Sequence, residues 1–174
     1  RFIYVTSGCY AMEHGIHTVN ILVPNTFGPG DYTDPNRTHA LNGMIIRMLQ
    51  AHWNNQPEFE IWGTGSPIRE WAYIDDVAEI LKEGLSTELD LIYPVNLAQN
   101  HGYSIRESAE LISEAIGYQG KLVFNSSYQD GAPRKVLLDT RFRELFPDFK
   151  FTDHKEGINK TVDYYKHALK GDQI

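Results

Sequence analysis

The sequence has only one cysteine, Cys9, and lacks any apolar run approaching the roughly 18 residues that a membrane-spanning helix requires. A single cysteine excludes an intramolecular disulfide, and the missing apolar run argues against a membrane partner. We therefore expect a cytoplasmic protein. The sequence also lacks an initial methionine and begins at Arg1, so we expect it to come from the middle of a gene.

Basic residues are in the minority, with 16 lysines and arginines against 23 aspartates and glutamates and a formal net charge of −7. This charge would repel phosphate backbones over the whole molecule, so nucleic acid is not an expected partner. Any phosphate site must instead be a local cluster of arginine and lysine. The hydrophobic content of 41% is ordinary for a globular domain and excludes a disordered or collagen-like chain.

Short apolar runs alternate with stretches of helical periodicity along the chain. The predicted strands cover residues 2–5, 18–23, 59–62, 121–124 and 136–138, and the predicted helices cover 41–49, a segment from 75 or 76, 104–116 and a segment after 153. Asp76 with Glu79, and Ser104 with Glu107, match the capping box that begins a helix. The alternation predicts the α/β class with a parallel sheet.

Two segments are candidates for binding a polar ligand. Residues 24–31 follow a predicted strand end, where open α/β sheets bind ligands, and Asn25 could hydrogen-bond a sugar or a pyrophosphate. The same residues also suit an ordinary turn-rich strand end. Residues 28–38 form a long irregular segment, and connections of this length tend to be functional.

A few side chains carry chemistry that a phosphorylated ligand would need. The guanidinium groups of Arg47 and Arg69 match phosphate oxygens, and Lys135 follows Arg134 in an otherwise acidic chain. Trp62 could form an aromatic wall, and His39 is matched to proton transfer near neutral pH. Each also has an ordinary interpretation, because single cations and histidines are usually solvated and tryptophan is usually in the core. We expect no metal site.

Three segments resemble, in order and spacing, the landmarks of the extended short-chain dehydrogenase/reductases, the NAD-dependent epimerase/dehydratase family. They are PNTFGP at 24–29, WGTGSPIRE at 62–70 and YIDD at 73–76. The segment DGAPRK at 130–135, before LLD at 137–139, looks like the corresponding segment of the GDP-L-fucose synthases. The resemblance covers roughly residues 18 to 168.

The resemblance implies a fold and a reaction. Residues 1–30, with parts of 75–100 returning to them, would be the remnant of a Rossmann-like NAD(P)-binding domain with a partial parallel sheet. Residues 31–174 would be mainly a smaller α/β domain that binds the nucleotide-sugar. Members of this group epimerise GDP-4-keto-6-deoxymannose at the two carbons beside its ketone and then reduce the ketone with NADPH. The implied cofactor is NADP, with NAD as the alternative, and the implied assembly is a homodimer.

The resemblance also implies roles for particular residues. His39 would be a catalytic acid and base, Ser7 would polarise the keto oxygen at a strand end, and Cys9 would be a second group that moves protons. The nucleotide diphosphate would be held by the substrate-binding residues Asn25, Arg47, Trp62, Arg69 and Lys135. No cofactor-binding residue can be assigned.

Two features depart from the family pattern. No Gly-x-Gly-x-x-Gly precedes a strand, and no Tyr-x-x-x-Lys is present, since Tyr10 is followed by His14 where lysine is expected. Residues 9–15 could equally be the tail of the helix that carries that motif, in which case Cys9 is no catalyst. Two other functions therefore stay open: another NDP-sugar 4-epimerase or 4,6-dehydratase, and a non-catalytic nucleotide-sugar-binding fragment.

Overall fold

The computed structural model describes residues 2–86 and 91–171, and in this part of the chain strands separate the helices everywhere except before the last one. The helices are α1 (Phe2–His14), α2 (Ala40–Trp53), α3 (Ile74–Ser86), α4 (Ile105–Ile116), α5 (Thr140–Leu145) and α6 (His154–Gly171). The strands are β1 (Val19–Leu22), β2 (Asn25–Phe27), β3 (Glu58–Trp62), β4 (Ile68–Arg69), β5 (Trp71–Tyr73), β6 (Leu91–Asn96), β7 (Tyr103–Ser104), β8 (Lys121–Asn125) and β9 (Arg134–Lys135). The predicted α/β class is confirmed.

The strands pair mostly in parallel. β1 pairs with β6, β2 with β5, and β3 with β8, each in parallel. β4 is the centre of a further small sheet, with β9 parallel on one side and β7 antiparallel on the other. β2 leads into the loop before α2, and β5 leads directly into α3. Because β2 and β5 are parallel neighbours, the start of this loop lies beside the start of α3.

Two clusters of buried apolar side chains hold these elements together. The first joins α2, α4 and α6 to β3 and β5, and its completely buried members include Ile45, Leu49, Ile112, Ile158 and Tyr165. The second lies between β6, α3 and α5 and is formed by Ala72, Val77, Ile80, Val95, Leu97, Phe142 and Phe146. Burying an aliphatic or aromatic side chain of this size contributes about 1.5–3 kcal/mol, so these helices are stable because of their packing.

The longer predicted helices are confirmed. Of the two predicted capping boxes, one is confirmed. Ser104 accepts a hydrogen bond from the Glu107 amide, and the Glu107 side chain returns one to the Ser104 backbone, which completes the capping box of α4. The other predicted capping box is wrong. Asp76 lies inside the first turn of α3, and its buried carboxylate accepts hydrogen bonds from the amide and the hydroxyl of Thr152 at 2.9 and 2.7 Å. It joins α3 to the segment before α6.

The predicted strand at residues 2–5 is also wrong, because these residues begin α1. An apolar run of four residues has the same pattern in a buried strand and in a helix, and this one continues as helix through Gly8 to His14. Ser7 therefore lies in mid-helix, where its Oγ donates to the Tyr4 carbonyl at 2.9 Å. Cys9 lies two residues further along and is exposed. The strand end from which the role of Ser7 was inferred is therefore absent from residues 2–14, and Cys9 lies in a helix, as the alternative interpretation of residues 9–15 required.

The predicted strand at residues 136–138 is displaced, since the ladder with β4 contains only Arg134 and Lys135. The reason is a side-chain contact: the amide of Leu137 donates to the Glu70 carboxylate at 2.6 Å and is not available to a ladder. None of the helices in the described residues is long and apolar enough to span a bilayer.

Candidate functional site

The irregular segment predicted after β2 is confirmed and ends at His39, the N-cap residue of α2. The His39 side chain makes no capping hydrogen bond. Its Nδ1 instead lies 2.9 Å from Oδ2 of Asp31, and 70% of the side chain is exposed. Serine, threonine, aspartate and asparagine are the favoured caps, so the histidine at this position does not serve the helix as a side-chain cap.

The surroundings of Asp31 keep its carboxylate ionised. It accepts hydrogen bonds from the amides of Tyr32 and His39 at 2.8 and 2.9 Å, and from the Thr38 hydroxyl. Partial burial by itself would raise the pKa of Asp31, but these hydrogen bonds and that of the His39 ring outweigh burial and hold the pKa well below its usual range. Because an ionised carboxylate only accepts, Nδ1 of His39 carries the proton of this contact, and in the neutral ring Nε2 is the acceptor.

Asn42, in the first turn of α2, fixes the backbone beside this pair. Its buried side chain accepts from the Gly28 amide at 3.2 Å and donates to the Gly28 carbonyl at 3.1 Å. Gly28 has φ 138°, and a Cβ there would lie 2.5 Å from a methyl group of Ile74, so this position requires glycine. A cavity of about 190 Å³ lies at this point, lined by residues 26–31, His39, Asn42 and Ile74.

A second cavity, of about 370 Å³, is lined in part by Asn25, which precedes Thr26 of the first cavity in β2. Lys135 and Arg134, both exposed, contribute two cations to its lining. The side chain of Asn25 donates to the Glu70 carbonyl at 3.2 Å, which holds β2 beside β5. The structure therefore brings Asn25 and Lys135 together, as the resemblance implied.

The carboxylate that lines this second cavity belongs to Glu70, and backbone amides donate hydrogen bonds to both of its oxygens. The side chain is only 1% exposed and accepts hydrogen bonds from the amides of Gln99 and Leu137 at 2.5 and 2.6 Å. The Glu70 carboxylate is therefore bonded to the backbone and is not exposed at the surface of the cavity. The exposed charged side chains of the lining are those of Arg134 and Lys135.

Arg69 contacts the segment 130–135, which contains both of these cations. Its Nη1 donates to the carbonyls of Ala132 and Ile68 at 2.7 and 2.8 Å, and the residue lies opposite Lys135 in the ladder between β4 and β9. The guanidinium has five donors in all, so donors remain for a ligand. Arg69 and Lys135 are therefore neighbours on one small sheet.

Trp62 and Arg47 are not among the residues that line the two cavities. Trp62 ends β3 and is 64% exposed, which excludes the core interpretation, and its ring stacks on that of Tyr128. Arg47 lies two helical turns after His39 on α2, and its guanidinium is 5.7 Å from the centre of the Phe59 ring. Ser7, Cys9 and Arg69 also line neither cavity.

The residue-by-residue prediction missed Asp31, Asn42 and Glu70. Asn42 had a signal, since it is a polar residue on the same helical face as Leu41 and Ile45, and such residues are often buried and hydrogen-bonded. Asp31 had none beyond its position in a long loop. Within residues 2–86 and 91–171, no group of three or more histidine, cysteine, aspartate or glutamate side chains could hold a metal ion.

The model of the NAD-dependent epimerase/dehydratase family matches residues 4–88 of the chain. The chain is also similar to the GDP-L-fucose synthases. It is 35% identical over 156 residues to the probable GDP-L-fucose synthase 1 of Oryza sativa subsp. japonica, covering 90% of this chain and 47% of the relative. It is 31% identical over 144 residues to the GDP-L-fucose synthase of Escherichia coli (strain K12), covering 78% and 45%.

A solved structure supports the same resemblance. The chain superposes on the GDP-L-fucose synthetase from Naegleria fowleri bound to NADP with a TM-score of 0.87 and 25% identity, covering 97% of this chain and 53% of that one. The family predicted from the sequence is confirmed. The chain spans about half the length of these relatives.

The described residues do not include the glycine-rich turn that holds the dinucleotide cofactor in Rossmann-like folds. A dinucleotide pyrophosphate is held at a glycine-rich turn that leads from a strand directly into a helix. Gly28 and Gly30 follow β2 but lead into the loop that ends at His39, and β5 passes into α3 at Tyr73 and Ile74 without a glycine. No residue is therefore assigned to NADP or NAD.

Proposed function

We propose that this chain binds a GDP-linked 4-keto-6-deoxy sugar and moves protons at the carbons beside its ketone, as the nucleotide-sugar half of a GDP-L-fucose synthase-type epimerase/reductase. The observation that carries the proposal is the His39–Asp31 pair in the lining of one cavity, together with a second cavity lined by Arg134 and Lys135. A proton-transfer group beside an anion site is what this chemistry requires.

The diphosphate is assigned to the cationic side of the site. Lys135 and Arg134 line the second cavity, and Arg69 lies next to Lys135 on the same small sheet. Arginine forks and a lysine match the oxygens of a diphosphate, and Asn25 adds an amide that can bind sugar or phosphate oxygens. Trp62, at the exposed end of β3, is the aromatic surface assigned to the base. Arg47 stays a more distant candidate for the diphosphate.

The proton transfer is assigned to His39. With Nδ1–H held by Asp31, the free Nε2 can take a proton from a carbon beside the ketone, and the resulting imidazolium is stabilised by the same carboxylate. The ketone makes this proton acidic enough to leave, and return of a proton completes the exchange. The proposal assigns no role to Ser7 or Cys9, because both lie on α1.

Solvent exchange tests this assignment without a reduction step. With GDP-4-keto-6-deoxymannose in D2O, NMR is expected to show deuterium entering beside the ketone in the presence of the protein. His39→Asn is expected to slow this exchange at least about a hundredfold while GDP still binds, because asparagine cannot shuttle a proton at neutral pH. His167→Asn, at an exposed position on α6, is the matched control and is expected to leave the exchange unchanged.

The outcomes separate the candidate functions. Exchange in wild type that survives in His39→Asn would contradict the role of His39. GDP binding without exchange in wild type would favour a non-catalytic nucleotide-sugar-binding fragment. Tighter binding of UDP, dTDP or CDP than of GDP would favour another NDP-sugar 4-epimerase or 4,6-dehydratase.

Arg69→Ala is expected to weaken GDP binding about ten- to a hundredfold, because a charge-assisted contact to a diphosphate contributes roughly 1.5–3 kcal/mol. Isothermal titration calorimetry measures the change. Arg106→Ala is the matched control: Arg106 also donates to a backbone carbonyl, that of Thr64 at 3.1 Å, but packs its guanidinium on Phe124. Equal losses in both variants would mean that Arg69 acts only by holding the loop.

The remaining inferences from the family are also proposals. A division at about residue 30, with residues 75–100 partly returning to the NAD(P)-binding side, is supported by the parallel pairing of β1 with β6 and by the separate second cluster. Phe142 and Phe146 belong to that cluster and would extend this side beyond the proposed boundary. Use of NADP is supported by the similarity to a GDP-L-fucose synthetase that binds NADP. Assembly as a homodimer and a cytoplasmic location rest on the resemblance alone.

A further inference from the structure

Tyr128 is an exposed aromatic residue to which neither the sequence motifs nor the proposed function assigns a role. It lies after β8, 43% exposed, and its ring stacks on Trp62 with centroids 4.8 Å apart and planes inclined by 17°. We propose that Tyr128 is a positioning residue that holds the indole of Trp62 in place for a nucleotide base. This inference rests on the proposed function, which places the base at Trp62.

The turn that carries Tyr128 is rigidly attached to the strand that carries Trp62. Asn125 is the register partner of Trp62 in the pairing of β3 with β8, and its side chain donates to Glu60 at 3.0 Å. The same side chain accepts hydrogen bonds from the amide and the hydroxyl of Ser127 at 3.1 and 2.6 Å, and the Tyr128 amide lies 3.3 Å from the Asn125 carbonyl. The chain is thereby folded back so that one ring covers the other.

A further contact fixes the approach from the Trp62 side. Thr64, two residues after Trp62, donates to the Asp130 carboxylate from its amide at 3.0 Å and from its hydroxyl at 2.6 Å. Asp130 is itself two residues after Tyr128, so the two aromatic residues lie between the paired strands on one side and this bridge on the other. An indole that is 64% exposed would otherwise change rotamer freely.

The ring spacing decides which role is available to Tyr128. Stacked aromatic atoms approach to about 3.5–4 Å, so a base inserted between two rings needs their planes about 7 Å apart. The centroids here are 4.8 Å apart, which leaves no room for a base between them. The base must stack on the opposite face of Trp62, and Tyr128 acts through Trp62 by removing its rotational freedom before binding.

The first test needs no ligand. The indole N–H signal of Trp62, identified by its loss in Trp62→Ala, reports the order of the ring by 15N relaxation. Tyr128→Ala is expected to lower the order parameter and to remove the ring-current shift, whereas Tyr128→Phe, which keeps the stacking face, is expected to retain both. An indole signal unchanged in Tyr128→Ala would overturn the inference.

The second test measures binding of GDP and of inorganic pyrophosphate, which has no base. Tyr128→Ala is expected to weaken GDP binding about two- to tenfold, to leave pyrophosphate binding unchanged, and to add nothing in the Trp62→Ala background. The inference would be overturned if Tyr128→Ala weakened the binding of GDP and of pyrophosphate equally, or if it weakened GDP binding by the same factor in the Trp62→Ala background. Failure of the wild-type protein to bind GDP would refute the proposed function and the base-binding part of this inference, and the indole measurement would still decide whether Tyr128 orders Trp62.

Discussion

Asp31→Asn is expected to slow deuterium exchange beside the substrate ketone about 10²- to 10⁴-fold with little change in GDP affinity. An asparagine in place of Asp31 can donate a hydrogen bond to Nδ1 of His39, which would move the ring proton to Nε2 and remove the free base. It would also remove the negative charge that stabilises the imidazolium. The effect therefore belongs to the chemical step and is read by the same NMR exchange measurement in D2O.

The matched control for this prediction lies in the same loop. Asp34 accepts hydrogen bonds from the amide and side chain of Asn36 and is exposed, so Asp34→Asn makes the same chemical change without the contact to His39. Its exchange rate is expected to stay near that of wild type. If Asp31→Asn retained full exchange with folding intact, the pairing of Asp31 with His39 would have no catalytic meaning.

Acid is expected to destabilise the fold through His154 before it protonates the carboxylates. His154 begins α6, is 5% exposed and stacks on Tyr103 with ring centroids 4.2 Å apart, and its Nε2 lies 3.2 Å from the buried Ser108 hydroxyl. Burial lowers the pKa of His154 to about 4 from an ordinary 6.5, an effect that His101 reinforces and that Asp153 and Glu107 oppose.

The pH window follows from these two pKa values. Below about pH 6.5 the unfolded chain takes up a proton at this histidine, whereas the folded protein does so only near pH 4. The free energy of unfolding is therefore at its full value above this window and decreases by about 1.4 kcal/mol per pH unit as the pH falls through it, roughly 3 kcal/mol in all. Urea unfolding at several pH values measures this slope.

A phenylalanine at this position isolates the contribution of His154. His154→Phe keeps an aromatic ring against Tyr103 but cannot titrate. We expect its free energy of unfolding to be lower than that of wild type at pH 7.5, and to decrease much less than that of wild type between pH 6.5 and 4. His167→Gln, at an exposed position on the same helix, is expected to keep the wild-type slope. A full slope in His154→Phe would assign the acid sensitivity to other groups.

The elements that the sequence predicted well are long. In them the apolar periodicity and the capping residues indicate the same helix. The helix from Ser104 has a capping box, an apolar stripe and Gly117 in the left-handed region at its end, and the structure has all three. The sequence did not predict the strands of two or three residues, which are β2, β4, β5, β7 and β9. Such short segments become strands only because a partner strand lies beside them. The apolar residues 2–5 were assigned to the wrong element for a related reason: four residues do not distinguish the two periods.

The family, the α/β class and the identity of His39, Arg69 and Lys135 as candidates follow from the sequence alone, because local motifs and helical periods are written in neighbouring residues. The tertiary structure decided which residues work together. Asp31 lies eight residues before His39 and orients it only because the loop folds back, and Tyr128 reaches Trp62 only because β8 pairs with β3. Contacts of this kind depend on long-range packing, and no local pattern in the chain encodes them.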